Sequence, residues 1–401
     1  MAARTKALVT PALLSWARET AGLELPEVAG RLKLDPDVVA AWESPEHEAG
    51  PSIPQLRKLA ALYRRPLALF YLPKPPERFQ VVRDLRRLPH RGGRRYSPNL
   101  LFEMRSALQR RELMLDLLRD LDEKPPAFTA KATMDEDPEE VGARLREHLG
   151  ITAKDQAGWR DRDGRVAFNG WRFRIEDLGV LIFQAIDIDT EEACGFAISS
   201  DELPVIVINR KDAVPRRTFS LLHEFAHLML GVSGVSDLDV EDDRPPEDQR
   251  IEVFCNNVAA AALIPRDDLL SDPRVAEKPL AFADWDDNEI ADIARGFGAS
   301  REAVLRRLLR LERTTAEFYG RKRAQYLAEF QANRARQKQQ AEAREIKRNM
   351  PLETVSNFGR PLVRLVLDHY QQELITLSEV SGFLGIKTKH IPRLEILAGR
   401  R

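Results

Sequence analysis

Two histidines and two glutamates in this 401-residue chain have the spacing for metal-assisted hydrolysis. The run Leu221-Leu222-His223-Glu224-Phe225-Ala226-His227-Leu228-Met229-Leu230 contains an HExxH pattern. On a helix, residues four apart share a face, so His223 and His227 can offer two imidazoles to one ion. Glu224 lies about a quarter-turn round, where it can reach a water on that ion rather than the ion itself. The apolar flanks Leu221, Leu222, Phe225, Leu228 and Leu230 bury the helix. Buried imidazoles beside a buried carboxylate are costly unless something compensates them, and a zinc ion would. The competing reading is a helix whose two histidines make ordinary hydrogen bonds.

A catalytic zinc takes three protein ligands and keeps a position open for water. Residues 250–265 form an alanine-rich helical run closed by Pro265, with Glu252 near its start. Glu252 stands 25 positions after His227, enough for one helix to end and a second to pack back across it. That makes Glu252 the candidate third ligand. Asn256, four further on, shares its face and is the candidate to support the ligands from behind. Glu247, Asp248 and the acids between Asp237 and Asp243 compete, but they sit in a polar, proline-containing loop and read as solvated.

The stretch before the motif supplies strands to pack against it. Residues 180–183 and 204–209 are short β-branched or aromatic runs bounded by Gly, Pro and Asn, and residues 195–199 are a weaker third. A small sheet beside the motif helix is either simply structural or offers an edge to an extended peptide.

Residues 126–265 resemble the ImmA/IrrE family of metallopeptidases. The resemblance is carried by Asn209, the run Arg217-Thr218-Phe219-Ser220-Leu221-Leu222-His223-Glu224-Phe225-Ala226-His227, then Glu252, Asn256, Val258-Ala259-Ala260 and Leu263-Ile264-Pro265. Phe254 stands where many relatives have a second acid, and Val258 replaces a more usual aromatic. The resemblance implies zinc held by His223, His227 and Glu252, with Glu224 as general base. It also implies regulated cleavage of a partner protein such as a repressor or antitoxin, in answer to stress, DNA damage or phage. The alternative is a DNA-binding regulator or antitoxin whose zinc is mainly structural.

Composition fits an ordinary globular chain. The net charge is −1 with 31% charged residues, neither polyanion nor nucleic-acid polycation. No apolar stretch reaches the roughly 18 residues of a membrane span, and residues 1–6 lead into no secretory pattern. Two cysteines, Cys194 and Cys255, make no disulfide framework, so a reducing cytoplasm is expected. Cys255 reads as core packing, and Cys194 as a buried thiol or an inhibitory ligand. The expected fold is α+β and mostly helical, with a zincin-like peptidase domain over residues 126–275.

Other segments flank that domain. Residues 1–75 carry four short helical patterns and resemble the XRE family of helix-turn-helix domains, through Trp42-Glu43-Ser44 and Pro51-Ser52-Ile53-Pro54-Gln55-Leu56. The third pattern opens Leu34-Asp35-Pro36-Asp37, with two carboxylates and no donor for base edges, so docking or dimerisation competes with DNA binding there. Residues 76–125 combine a basic linker and a helix. Seven arginines lie within residues 78–95, of which Arg83, Arg86, Arg87, Arg91, Arg94 and Arg95 are candidate nucleic-acid contacts or a solvated arm. Residues 276–312 repeat a helix-turn-helix pattern whose second helix carries Arg301, Arg306, Arg307 and Arg310. It reads as a packing subdomain or a nucleic-acid face. A basic helix over 313–350 and a helical tail over 351–401 follow. His148, His369 and His390 have no companions suggesting a second metal site. The expected partners are a protein substrate, with DNA and a second copy of the chain left open, and no membrane.

Overall fold

In a computed structural model, residues 6–47, 49–76, 96–161, 163–236, 246–343 and 348–399 are described. The candidate contacts Arg83, Arg86, Arg87, Arg91, Arg94 and Arg95 lie outside the described residues, as do the acids from Asp237 to Asp243. The chain folds into two compact units, Met1–Gln109 and Arg110–Arg401.

The first unit is helical. Its helices are α1 (Pro11–Thr20), α2 (Leu25–Leu32), α3 (Pro36–Glu43) and α4 (Ile53–Leu62), followed by a 3-10 turn, Leu67–Tyr71. Each helix has a proline in its first turn, where the missing N–H costs nothing. Asp35 caps α3 by accepting from the Asp37 N–H. Leu13, Leu14, Val28, Leu56, Leu59 and Phe70 fill the core. Arg18 grips Glu43 with Nε at 2.9 Å from Oε1 and Nη2 at 2.9 Å from Oε2, tying α1 to the end of α3.

The second unit packs helices around a four-stranded mixed sheet, in keeping with the expected α+β class. The strands are β1 (Leu181–Ala185), β2 (Gly195–Ile198), β3 (Val205–Asn209) and β4 (Gly234–Ser236), in the order β1-β3-β2-β4. β1 runs parallel to β3, and β2 runs antiparallel to both β3 and β4. The first three strands are buried throughout. That is why their sequences are continuous apolar runs rather than alternating ones. β4 has no such signature, being three residues of Gly, Val and Ser.

Two helices carry the candidate site. The motif helix, Val214–Met229, is buried on all sides from Leu221 to Met229, as expected of a helix apolar all round. The ligand helix, Pro246–Leu263, packs against it and against the helix Pro138–His148. The last contact is close. A Cβ on Gly142 would stand 2.6 Å from Ala261 Cβ and 2.9 Å from the Ala262 nitrogen. Gly142→Ala gains up to about 1 kcal/mol in helix propensity, but overpacking against backbone costs about 1–3 kcal/mol. The variant is therefore expected to be net destabilised in urea unfolding, and a gain in stability would mean that the helices can part freely.

Three buried side chains receive the carbonyls that end the ligand helix. Arg146 Nη1 donates to Ala262 O (2.9 Å), Gln156 Nε2 to Leu263 O (2.8 Å) and Arg307 Nε to Ile264 O (2.9 Å). Two of these donors are cations, which suits the partial negative charge of a helix C-terminus.

Arg307 bears on the reading of residues 276–312 as a packing subdomain. It lies 1% exposed, and its two Nη atoms bond Glu139 at 2.5 and 2.6 Å. Arg301 pairs with Glu329 and Arg306 with Glu302. The basic helix Arg301–Arg310 thus engages three of its four arginines in ion pairs within the unit, and of these Arg307 is buried. Ile290, Ile293, Val304, Leu305 and Leu308 join the same core as the motif helix.

The tail also packs into this unit. Helix Met350–Phe358 lies on β1, and Ser356 O accepts from Arg172 Nη1 (2.8 Å) and Gln184 Nε2 (3.1 Å). His369 is fully buried, with Nε2 2.9 Å from Leu117 O and Nδ1 2.8 Å from Leu365 O. The helix Leu377–Leu384 is capped by Thr376 with Glu379 in a reciprocal box.

Candidate metal centre

The pitch of the motif helix sets the first two donors. His223 and His227 face one another with Nε2 atoms 3.1 Å apart. Glu252 arrives from the second turn of the ligand helix, with Oε2 3.3 Å from His223 Nε2 and Oε1 3.5 Å from His227 Nε2. Among the described residues these three form the one cluster of His, Cys, Asp or Glu able to hold a metal ion. Donors at 2.0–2.2 Å from a tetrahedral zinc lie about 3.3 Å from one another. The observed 3.1, 3.3 and 3.5 Å separations fit such a shell.

Glu224 is fully buried beside this cluster. Burial, opposed by His223 and reinforced by the nearby Glu252 charge, pushes its carboxyl up to about 8. Burial also opposes charge on Glu252, but bonds from both histidines hold it well below the usual carboxylate range. For His223 burial lowers the pKa, yet Glu252, Glu224 and Asn256 more than reverse this and leave it raised. The two glutamates are thus driven apart, one towards a proton and one towards a fixed negative charge. That division separates a proton carrier from an anionic donor.

The raised Glu224 pKa has a consequence for stability without metal. A carboxyl whose folded value (about 8) exceeds its ordinary 4.5 holds its proton more tightly when folded. Its stabilising contribution is complete below the ordinary value and is lost as pH rises towards the folded one. Metal-stripped protein should therefore lose about 3 kcal/mol more between pH 5 and pH 8 than metal-stripped Glu224→Gln. Urea unfolding at the two pH values measures this, and parallel losses would show that Glu224 stays ionised throughout.

Two neighbours of the site were not singled out in the sequence. A Cβ on Gly195 would come within 2.8 Å of Val207 O and 3.1 Å of Glu224 Oε1. Glycine is what lets β2 lie this close to the carboxylate, and a glycine opening a strand is the signal that could have found it. Ser236, on β4, is fully buried with Oγ 3.4 Å from His227 Nε2, and it favours the charged form of Glu224. Nothing in the local sequence marks it.

The other sequence candidates are readily placed. Asn256 stands next to His223 and favours its charged form. Glu247 is exposed at the start of the ligand helix, and neither it nor Asp248 is in the cluster. The Cys194 thiol donates to Ser236 O at 3.2 Å and lies outside the donor set. Cys255 is buried in the core around the ligand helix.

Residues 175–309, about a third of the chain, match the peptidase family described as the IrrE N-terminal-like domain. The matched segment runs from the end of the helix before β1 to helix Arg301–Arg310 and contains the whole donor cluster. None of the curated proteins compared matches the chain. The match supports a metallopeptidase acting on a protein, and no described helix is long and apolar enough to cross a membrane.

Proposed function

We propose that the second unit is a zinc-dependent endopeptidase that cleaves a specific regulatory protein. The observation that carries this reading is the set of donor separations, 3.1, 3.3 and 3.5 Å, around buried His223, His227 and Glu252. Those residues would hold the ion, with Asn256 steadying His223 from behind. Zinc, when bound, supplies the Lewis acidity that polarises a carbonyl and acidifies water.

The chain's own residues do the rest. Glu224 takes the proton of the attacking water on a carboxylate oxygen and passes it to the amide nitrogen as the C–N bond breaks. Gly195 keeps β2 against Glu224, so the carboxylate has a fixed post. β4 ends the sheet on the side of His227, and its edge suits an extended peptide added as a further strand. The site residues are only 0–7% exposed. This suits an enzyme kept silent until its partner or a signal arrives. A repressor or antitoxin is the kind of partner that the ImmA/IrrE resemblance suggests.

The test uses the full chain. Glu224→Gln serves as a trap to co-purify partners after crosslinking, and the captured protein is then offered to wild type with zinc. Cleavage at one position, stopped by a chelator, is the expected result. Captured partners that wild type with zinc leaves intact would overturn the reading.

A further inference from the structure

Ser236 carries the one polar side chain of β4, and the sheet fixes where its hydroxyl lies. It stands directly opposite Gly195 in the antiparallel pair of β2 and β4. Opposed residues put their side chains on the same face of a sheet. The hydroxyl therefore lies beside the space that Gly195 leaves open, where a Cβ would stand 3.1 Å from Glu224 Oε1. The backbone of Ser236 is pinned as well. Its carbonyl accepts from the Cys194 N–H at 3.0 Å and from the Cys194 thiol at 3.2 Å.

The Ser236 side chain is fully buried, and a buried hydroxyl needs an acceptor for its proton. In the structure Oγ lies 3.4 Å from His227 Nε2. That histidine belongs to the donor cluster, and a nitrogen that holds an ion has no lone pair left for a hydroxyl. The proton must then turn to another acceptor. Glu224 is fully buried, and neither of its oxygens has a hydrogen-bond partner among the described residues. Ser236 is near enough to favour its charged form. Left unbonded out of water, the hydroxyl and the carboxylate would each carry a desolvation cost, and one bond between them removes both.

We propose that Ser236 is a positioning residue for Glu224, its hydroxyl donating to one carboxylate oxygen and leaving the other aimed at the donor cluster. This rests on the metallopeptidase reading of the site. A carboxylate otherwise able to turn about its last bond becomes a base with one orientation, as proton transfer at a fixed point requires. A serine that merely filled space would act on the fold and not through Glu224.

A double-mutant cycle in the full chain distinguishes the two. Wild type, Ser236→Ala, Glu224→Gln and the double variant are loaded with zinc and titrated calorimetrically with acetohydroxamate. This small probe chelates zinc and offers a hydroxyl to a carboxylate beside the ion. Ser236→Ala is expected to weaken acetohydroxamate about tenfold where Glu224 is present, and not at all in the Glu224→Gln background. In the Glu224 background kcat for the captured partner should also fall about tenfold, with KM unchanged. Thermal melting establishes that each variant folds, and elemental analysis gives its zinc content. Equal weakening of the probe in both backgrounds, or none in either, overturns the proposal and leaves the metallopeptidase reading standing. Zinc lost from Ser236→Ala but kept by wild type overturns it too, by making the serine a donor. A wild type that holds no zinc overturns both.

Discussion

Glu224→Gln is expected to keep the metal and lower kcat/KM for the trapped partner by at least about 10³-fold, the upper part of what a positioned general base contributes. The reason lies in the geometry. Glu224 is not one of the three donors, so the amide leaves His223, His227 and Glu252 in place. It is nearly the same size, so Gly195 and the buried surroundings are undisturbed. What is lost is a carboxylate oxygen able to take and return a proton. Elemental analysis of the variant beside a cleavage assay separates the two effects. Metal lost along with activity would make Glu224 part of the donor shell, and surviving activity would end its assignment as base.

Glu252→Ala is expected to lose metal affinity by at least about 100-fold, since it removes one donor of three and leaves two buried imidazoles facing each other. The separation of 3.1 Å between their Nε2 atoms is tolerable with an ion or a shared proton between them. Chelator competition on the chelator-free purified protein measures the loss. Asn256→Ala, which touches His223 without being a donor, should lose no more than about 10–100-fold, and Glu247→Ala should lose nothing. A Glu247→Ala protein that fails to hold zinc would move the third donor to the start of the ligand helix.

The two outcomes bear on different parts of the mechanism. Retained metal with lost cleavage isolates proton transfer, and lost metal isolates the donor shell.

Much of this was legible in the chain. The motif helix announces itself because its chemistry repeats with the helical pitch, and four positions suffice to bring two imidazoles together. β1, β2 and β3 were legible because strands buried on both faces are continuous apolar runs. Helix starts at Pro11, Pro36 and Arg301 were legible because prolines and short polar caps act within one turn. These are local signals, complete within a few residues.

What escaped the sequence depends on neighbours distant along the chain. β4 is three residues long, and its strand character comes from pairing with β2 rather than from propensity. Ser236 is an ordinary serine until that pairing places it against His227. Arg307 looked like one of four cations on a basic face, but Glu139, 168 positions away, and the end of the ligand helix draw it inside.

By itself, the sequence determined the helix that aligns His223, Glu224 and His227, the apolar strands behind it and a few helix ends such as those at Pro36 and Pro265. Only the tertiary structure decided that Glu252 comes together with His223 and His227, that Gly195 and Ser236 press on this cluster, and that Arg307 faces inward. The physical reason is range: periodicity and capping act over one or two turns, whereas donor geometry and burial depend on which distant segments pack together.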